Sequence, residues 1–440
     1  MTAKTSCRLR NALVVVLVLA ALYAAYRYTL HRMVDAKLDE IRKQGYPVML
    51  AELDKWYPQP PPGENAADLY RQSSDRDVKL GDTELRLPLL GDCDARLPAR
   101  GEILPSDMRQ RIGTLLKTNQ ESLTMLHAAA AMPHCRFVKY LSISKASIAP
   151  GTSDRMRGAR KLALEAIYAA DADDGDLAAG ALVASLGLVR HFSEEPLAAP
   201  WFAQQAYFGL TSSTLERVLT RTQLGPNQLA NVSSALAAVE ASLAIDHVLL
   251  GEFAWNNDAF SEIRQGKEPV GELLTMDFKG DSHYLGWSGL LLAFVYRLAG
   301  IEEFDQLNYL RLGSRAILIA REPFPGQLRA LNSFEERARE VSSLLPLSRL
   351  YCHLSCQYLR LDARFIARLR TAEAGLSVES YRSVHGQLPD SLPATFSDPF
   401  DGQPLRYKKL AKGYVVYSVG EDGKDDGGDE NKDITFTVER

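Results

Sequence analysis

The sequence predicts a mainly α protein: an N-terminal transmembrane helix, an α-helical, repeat-like body of antiparallel hairpins, and a small C-terminal antiparallel β-module. Three observations predict it. A charge-free apolar run occupies residues 12–26, Ala- and Leu-rich stretches with apolar residues at three- and four-residue steps fill the middle, and short alternating runs punctuated by glycine close the chain.

The run ALVVVLVLAALYAAY at 12–26 follows a basic leader of Lys4, Arg8 and Arg10. A span takes ~20 apolar residues, and residues 28–30 lengthen this one if the Arg27 guanidinium snorkels to the interface. Arg27, His31 and Arg32 follow in what reads as the same helix, which favours an uncleaved anchor. Small residues within 19–25 leave a cleaved signal peptide as the alternative. Arg27, Arg32, Lys37, Arg42 and Lys43 offset the leader, so charge counting does not orient the span. A long domain can translocate regardless of flanking charge, and the acidic loop described below suits a calcium-rich compartment. A single-pass inner-membrane protein with a periplasmic body is therefore expected.

Hydrophobic residues at 46% and charged residues at 24% are those of a folded chain, and a net charge of -4 with both signs mixed leaves no electrostatic footprint for nucleic acid. Chain length allows roughly two or three globular units. Sequence punctuation divides it into a cytoplasmic leader and span (1–32), a neck and irregular linker (33–105), a helical body (106–354) and a long helix with a β-module (355–440). Five cysteines are too few for a disulfide scaffold. Cys352 and Cys356, with His353 beside them, read as buried structural thiols over a metal or redox pair. A Cys93–Cys135 bridge stays open outside the cytoplasm.

Pro47, Pro58, Pro60, Pro61, Pro62 and Gly63 make a stiff neck, and residues 75–105 read mostly as loop. Ser106 and Asp107 can cap a helix running toward Leu126. A second helix spans about 154–170 and a third begins near Asp176, the two joined by ADADDGD, so they pack as an antiparallel hairpin. The pair resembles one unit of a tetratricopeptide array, without a regular period. Asp171, Asp173, Asp174 and Asp176 read as a solvated, helix-capping turn. Further helices are expected at about 226–250, 284–299, 304–321, 326–345 and 347–375. The apolar stretch 284–296 is too short to span a bilayer and reads as a buried core helix. His191, His247 and His283 sit singly and read as structural. A long amphipathic helix through Leu354, Leu361, Phe365, Leu369 and Leu376 ends at Gly386, with Pro389 beyond.

Residues 405–410 and 414–419 read as two strands around Ala411-Lys412-Gly413, and Ile434, Phe436 and Val438 alternate as a last strand. Between the last two strands, 418–433 crowds carboxylates around glycines, a composition suited to Ca²⁺, which takes six to eight oxygens. Asp422, Asp426, Gly427, Glu430 and Asp433 fall at EF-hand-like offsets one, five, six, nine and twelve. Lys424 at the third offset and strands in place of helices argue against a true EF-hand.

The motifs Tyr381-Arg-Ser-Val-His-Gly386-Gln-Leu-Pro389, Asp398-Pro-Phe-Asp-Gly402-Gln-Pro-Leu-Arg-Tyr407, Tyr417-Ser-Val-Gly-Glu-Asp-Gly423 and Asp433-Ile434 together resemble the C-terminal part of the major pseudopilin of type II secretion systems. That resemblance implies a long helix on a small antiparallel sheet, with calcium bound before the last strand. It implies Asp422 and Asp433 as side-chain ligands, with Ser418 nearby and Asp425, Asp426 and Asp429 as supplementary candidates. Lys432 departs from the family pattern. The N-terminus lacks the pilin cleavage glycine and glutamate-bearing helix, so a fibre-forming subunit is not expected. The whole layout also resembles membrane-anchored proteins of planctomycete-type bacteria, which implies no activity.

The sequence contains no nucleotide loop, nucleophile elbow, His-Glu-x-x-His helix or paired cysteine–histidine signature. The expected function is that of a non-enzymatic envelope protein, with a helical surface for a protein partner and a calcium-stabilised tail. The alternatives are an envelope hydrolase with its site among the helices, and an accessory component of a type II secretion-like apparatus.

Overall fold

The computed structural model describes residues 3–57, 59–91, 96–137, 151–265, 294–342, 344–393 and 395–440, with side chains from Arg10 onward. The chain is mainly α-helical, with an apolar N-terminal helix and one small antiparallel sheet. It forms two compact units. One comprises Met1–Leu53, Leu250–Ala320 and Ala330–Gln357; the other comprises Asp54–Leu249, Arg321–Arg329 and Tyr358–Arg440.

In the first unit, α1 (Ala3–Lys43) is unbroken. Its apolar stretch from Leu13 to Leu22 is exposed, whereas Leu30, Val34 and Ile41 are buried. The helices α2 (Leu50–Trp56) and α11 (Ile245–Arg264) each contribute in part, followed by α12 (Ile301–Ala320), which packs on α1. Arg27 pairs with Glu303, whose side chain is fully buried. A polar chain continues from there: Arg264 donates to Glu302 at 3.1 Å and to Gln306 at 2.8 Å, and Gln306 donates to Asn257 at 2.9 Å. Asp305 accepts from Ser348 N (2.9 Å) and Leu347 N (3.1 Å), capping the first turn of the last helix, α14 (Pro346–His385). Between these lies α13 (Gly326–Arg339). Phe253 stacks on Tyr309 at 5.2 Å, and Tyr351 meets Tyr309 edge-on at 4.7 Å. Cys352 and Cys356 are buried and form no disulfide with each other, and His353 turns outward to Gln357.

The expected buried helix over 284–296 needs correction where it is described. Residues 294–298 are helical, but Phe294, Val295 and Leu298 are exposed, while Tyr296 is buried. Residues 284–293, and His283 just before them, lie outside the described residues.

In the second unit, α3 (Ala66–Asp75) and the short α4 (Asp82–Leu85) lie within the stretch read as neck and loop. Then come α5 (Ser106–Thr118), α6 (Gln120–Ala130), α7 (Thr152–Ala170), α8 (Gly175–His191), α9 (Ala198–Arg221) and α10 (Pro226–Ser242). The α7–α8 pair is the expected hairpin. Asp174 caps α8 by accepting from Leu177 N at 3.0 Å, Asp173 takes a left-handed φ of 56, and Asp171 accepts from Leu104 N at 2.7 Å. α9 has no counterpart in the sequence reading; Pro200 stands in its first turn, where no intrahelical donor is required.

The sheet has order β1-β2-β3, with β1 (Arg406–Lys409), β2 (Tyr414–Ser418) and β3 (Ile434–Val438) pairing antiparallel. Tyr407 faces Val416 in the register, and Val416 faces Phe436. At Gly413, with φ +79, any Cβ would stand 1.8 Å from Val438 O, so the hairpin loop requires glycine. The module has no core of its own: Tyr414, Val416, Phe436 and Val438 belong to the same apolar cluster as Leu162, Leu182 and Val218.

β3 is an edge strand, and α9 covers it. Thr437 N donates to Glu216 Oε1 at 2.6 Å, Glu439 N donates to Thr220 Oγ1 at 3.2 Å, and Arg100 reaches Thr437 O at 3.4 Å. Burial pushes the Glu216 carboxyl up to about 7, against the Arg100 charge and the Thr437 donor. A carboxyl raised in the folded state adds stability that is complete below its ordinary value of 4.5 and is lost as pH rises toward 7. Unfolding free energies from urea titration of wild type and Glu216→Gln, which keeps an acceptor for Thr437 N, should therefore diverge by roughly 3 kcal/mol between those limits, the wild type weakening with rising pH. Parallel profiles would exclude this role for Glu216.

Candidate functional site

The acidic loop is built on Asp398, in the turn before β1. Asp398 Oδ1 accepts from Phe400 N (3.0 Å) and Ser418 Oγ (2.9 Å), while Oδ2 accepts from Val419 N (2.9 Å) and Arg406 (2.9 Å). Burial holds this carboxyl above its ordinary value although three of these donors pull it down. Ser418, expected near the ion, thus has its hydroxyl committed to Asp398.

Beyond β2 the backbone curls through Gly420, Gly423, Gly427 and Gly428, all with positive φ. The loop's carboxylates divide into two kinds. Asp422 Oδ1 accepts from Lys424 N at 3.1 Å, and Asp429 Oδ1 accepts from Asn431 N at 2.9 Å. Asp425 Oδ1 takes Gly427 N and the Tyr417 hydroxyl, each at 3.0 Å, and Asp426 pairs with Lys432 at 2.9 Å. These four engage their own neighbours. Burial, then Asp425, push the Tyr417 hydroxyl up to about 12.

Asp433 differs. It is 6% exposed; Oδ2 accepts from Gly428 N at 2.8 Å, and Oδ1 is buried with no hydrogen-bond partner. Glu430, at an EF-hand offset, points to Arg100 at 2.9 Å. Among the described residues, no three His, Cys, Asp or Glu side chains converge as a metal-holding group. The structure sets Asp433 across the loop from Gly428.

A second feature lies on the helical body. A groove of ≈ 550 Å³ is lined by α5, α6, α7 and the start of α8, with Leu116, Lys117, Leu123 and Leu177 along it. At its side His127 Nε2 meets Glu165 Oε2 at 2.7 Å. These two residues come from different helices 38 positions apart, and no local spacing in the sequence announces the pair.

Elsewhere in this unit, the Arg155 guanidinium lies between rings, 3.7 Å from the Phe192 centre and 4.1 Å from Phe137. It faces Glu195 at 3.4 Å, and burial raises that carboxyl. His191 is locked as a neutral ring: Nε2 donates to Met132 O and Nδ1 accepts from Tyr70 Oη, both at 2.9 Å, and burial pulls its pKa down to about 4. His247 packs edge-on against Trp56 at 4.8 Å. Cys135 is a buried free thiol, raised by burial, and Cys93 lies outside the described residues.

Asp398→Ala should lower the unfolding free energy by about 3 kcal/mol or more, because each buried donor left unpaired costs roughly 1–3 kcal/mol. Asp398→Asn, which keeps one acceptor oxygen, should lose less. Denaturant titration of both variants checks the order, and equal losses would show that the donors find other partners.

No family model, curated protein or solved structure matches the chain.

Proposed function

We propose that the chain is a membrane-anchored envelope protein, its body in the periplasm, whose helical hairpins hold a segment of a partner protein while calcium steadies the C-terminal module. Anchoring is supported by α1: the stretch Arg10–Lys43 is long and apolar enough to cross a membrane, and its apolar part is exposed. A second stretch, Pro226–Arg264, passes the same test, but Leu229, Val232, Leu236 and Val239 within it are buried in the body's core.

The groove on α5–α8 carries the partner assignment. Its apolar floor, rimmed by Lys117 and the His127–Glu165 pair, suits a peptide segment that brings an aliphatic or aromatic anchor and polar neighbours. Leu177 is exposed at its edge and can be replaced without opening the core. A photo-crosslinker at Leu177 in the full-length protein in its own membranes should capture one discrete protein, and Leu177→Asp should weaken co-purification of that protein several-fold. A diffuse or absent product would end the partner reading.

The His127–Glu165 pair also supports a hydrolase, with His127 as base and Glu165 orienting it. Turnover of p-nitrophenyl acetate that disappears in His127→Ala would favour that reading over the binding one. The covering of β3 by α9 gives no support to a free tail that joins a secretion apparatus.

For calcium, the support is the orphaned Asp433 oxygen, the glycine-curled backbone and the resemblance to the pseudopilin tail. Asp433 would hold the ion with Asp422 and loop carbonyls; the ion would order the loop and neutralise the buried carboxylate. Calcium should raise the thermal midpoint of the full chain in detergent by several degrees, and Asp433→Asn should abolish the rise. Identical melting with calcium and with chelator would discard the site.

A further inference from the structure

The apolar turn at 294–298 lies beside α1 within the first unit, and its carbonyl groups are met by the span. Tyr23 Oη donates to Leu298 O at 2.7 Å, Tyr26 Oη donates to Ala299 O at 3.2 Å, and Arg27 donates to Arg297 O. Further along, Gly300 abuts Leu30 and Tyr26, and Glu303 pairs with Arg27. The turn therefore sits against α1 at the level of Tyr23 to Arg27, where the exposed apolar stretch of that helix ends.

Phe294 is 60% exposed and Leu298 50%, on a chain whose polar termini at this helix end are already satisfied by Tyr and Arg side chains. Water offers such a surface nothing, whereas the bilayer interface accepts exposed apolar side chains flanked by tyrosines and a paired arginine. The rings of Tyr23, Tyr26 and Phe304 are exposed as well. The patch continues the exposed apolar surface of α1 itself, which identifies its occupant as lipid.

We infer that residues 294–298 form a second membrane-contacting element, seated in the bilayer interface beside α1, so that the first unit rests on the membrane as well as being tethered to it. The inference rests on the anchor reading proposed above. The test uses the full chain in liposomes, with an environment-insensitive fluorescent amino acid placed in turn at Leu19, Phe294, Leu298 and Leu177, and quenching by doxyl-labelled lipids. Quenching at Phe294 and Leu298 comparable with Leu19, and several-fold above Leu177, is expected. Strong quenching at Leu19 with body-like values at 294 and 298 would overturn the inference and leave the anchor standing. Weak quenching at all four positions would remove both. A benzophenone at Leu298 that yields dimers in place of lipid adducts would assign the patch to a second copy and overturn the inference as well.

Discussion

The position of the C-terminal module within its unit depends on one buried carboxylate. An edge strand presents a row of donors and acceptors that must be paired, covered or hydrated, and β3 meets this demand through side chains of α9 in place of a fourth strand. Glu216 satisfies Thr437 N from within apolar surroundings, and the cost of dehydrating it shows as its raised proton affinity. Around that contact Arg440 pairs with Glu379 at 2.5 Å, and the Tyr414 hydroxyl donates to Gly375 O at 2.9 Å. Gly375 lets the Phe436 ring approach where a Cβ would stand 2.4 Å away. Helix, sheet and body are therefore one packing problem.

Much of this architecture is legible in the sequence, and the reason is local physics. The apolar period of α7 and α8, the capping aspartate between them, the glycine-closed hairpin and the three strands all arise from residues a few positions apart. α9 escapes such a reading; it has no side-chain cap at its start, and Pro200 stands in its first turn. The exposed turn at 294–298 escapes for a different reason: an apolar run is the same in sequence whether its neighbour is a core or a bilayer.

The candidate sites follow the same division. The acidic loop is visible because its carboxylates and glycines are contiguous, yet their roles are set by geometry that no spacing encodes. Ser418 is claimed by Asp398, twenty residues earlier, and Asp426 by Lys432. Asp433 differs from them in keeping a buried oxygen without a hydrogen-bond partner. The groove and its His127–Glu165 pair arise where separate hairpins meet, so composition carries no trace of them.

The pairing of Arg27 with Glu303 has a consequence for how the chain is made. The two residues are 276 positions apart, and between them lies most of the second unit. During synthesis α1 leaves the ribosome long before its partner exists, so the intervening hairpins, rich in short-range contacts, are free to fold first. The arginine at the end of the apolar helix has no partner until α12 has emerged, and the first unit closes only when the start of α14 has followed it.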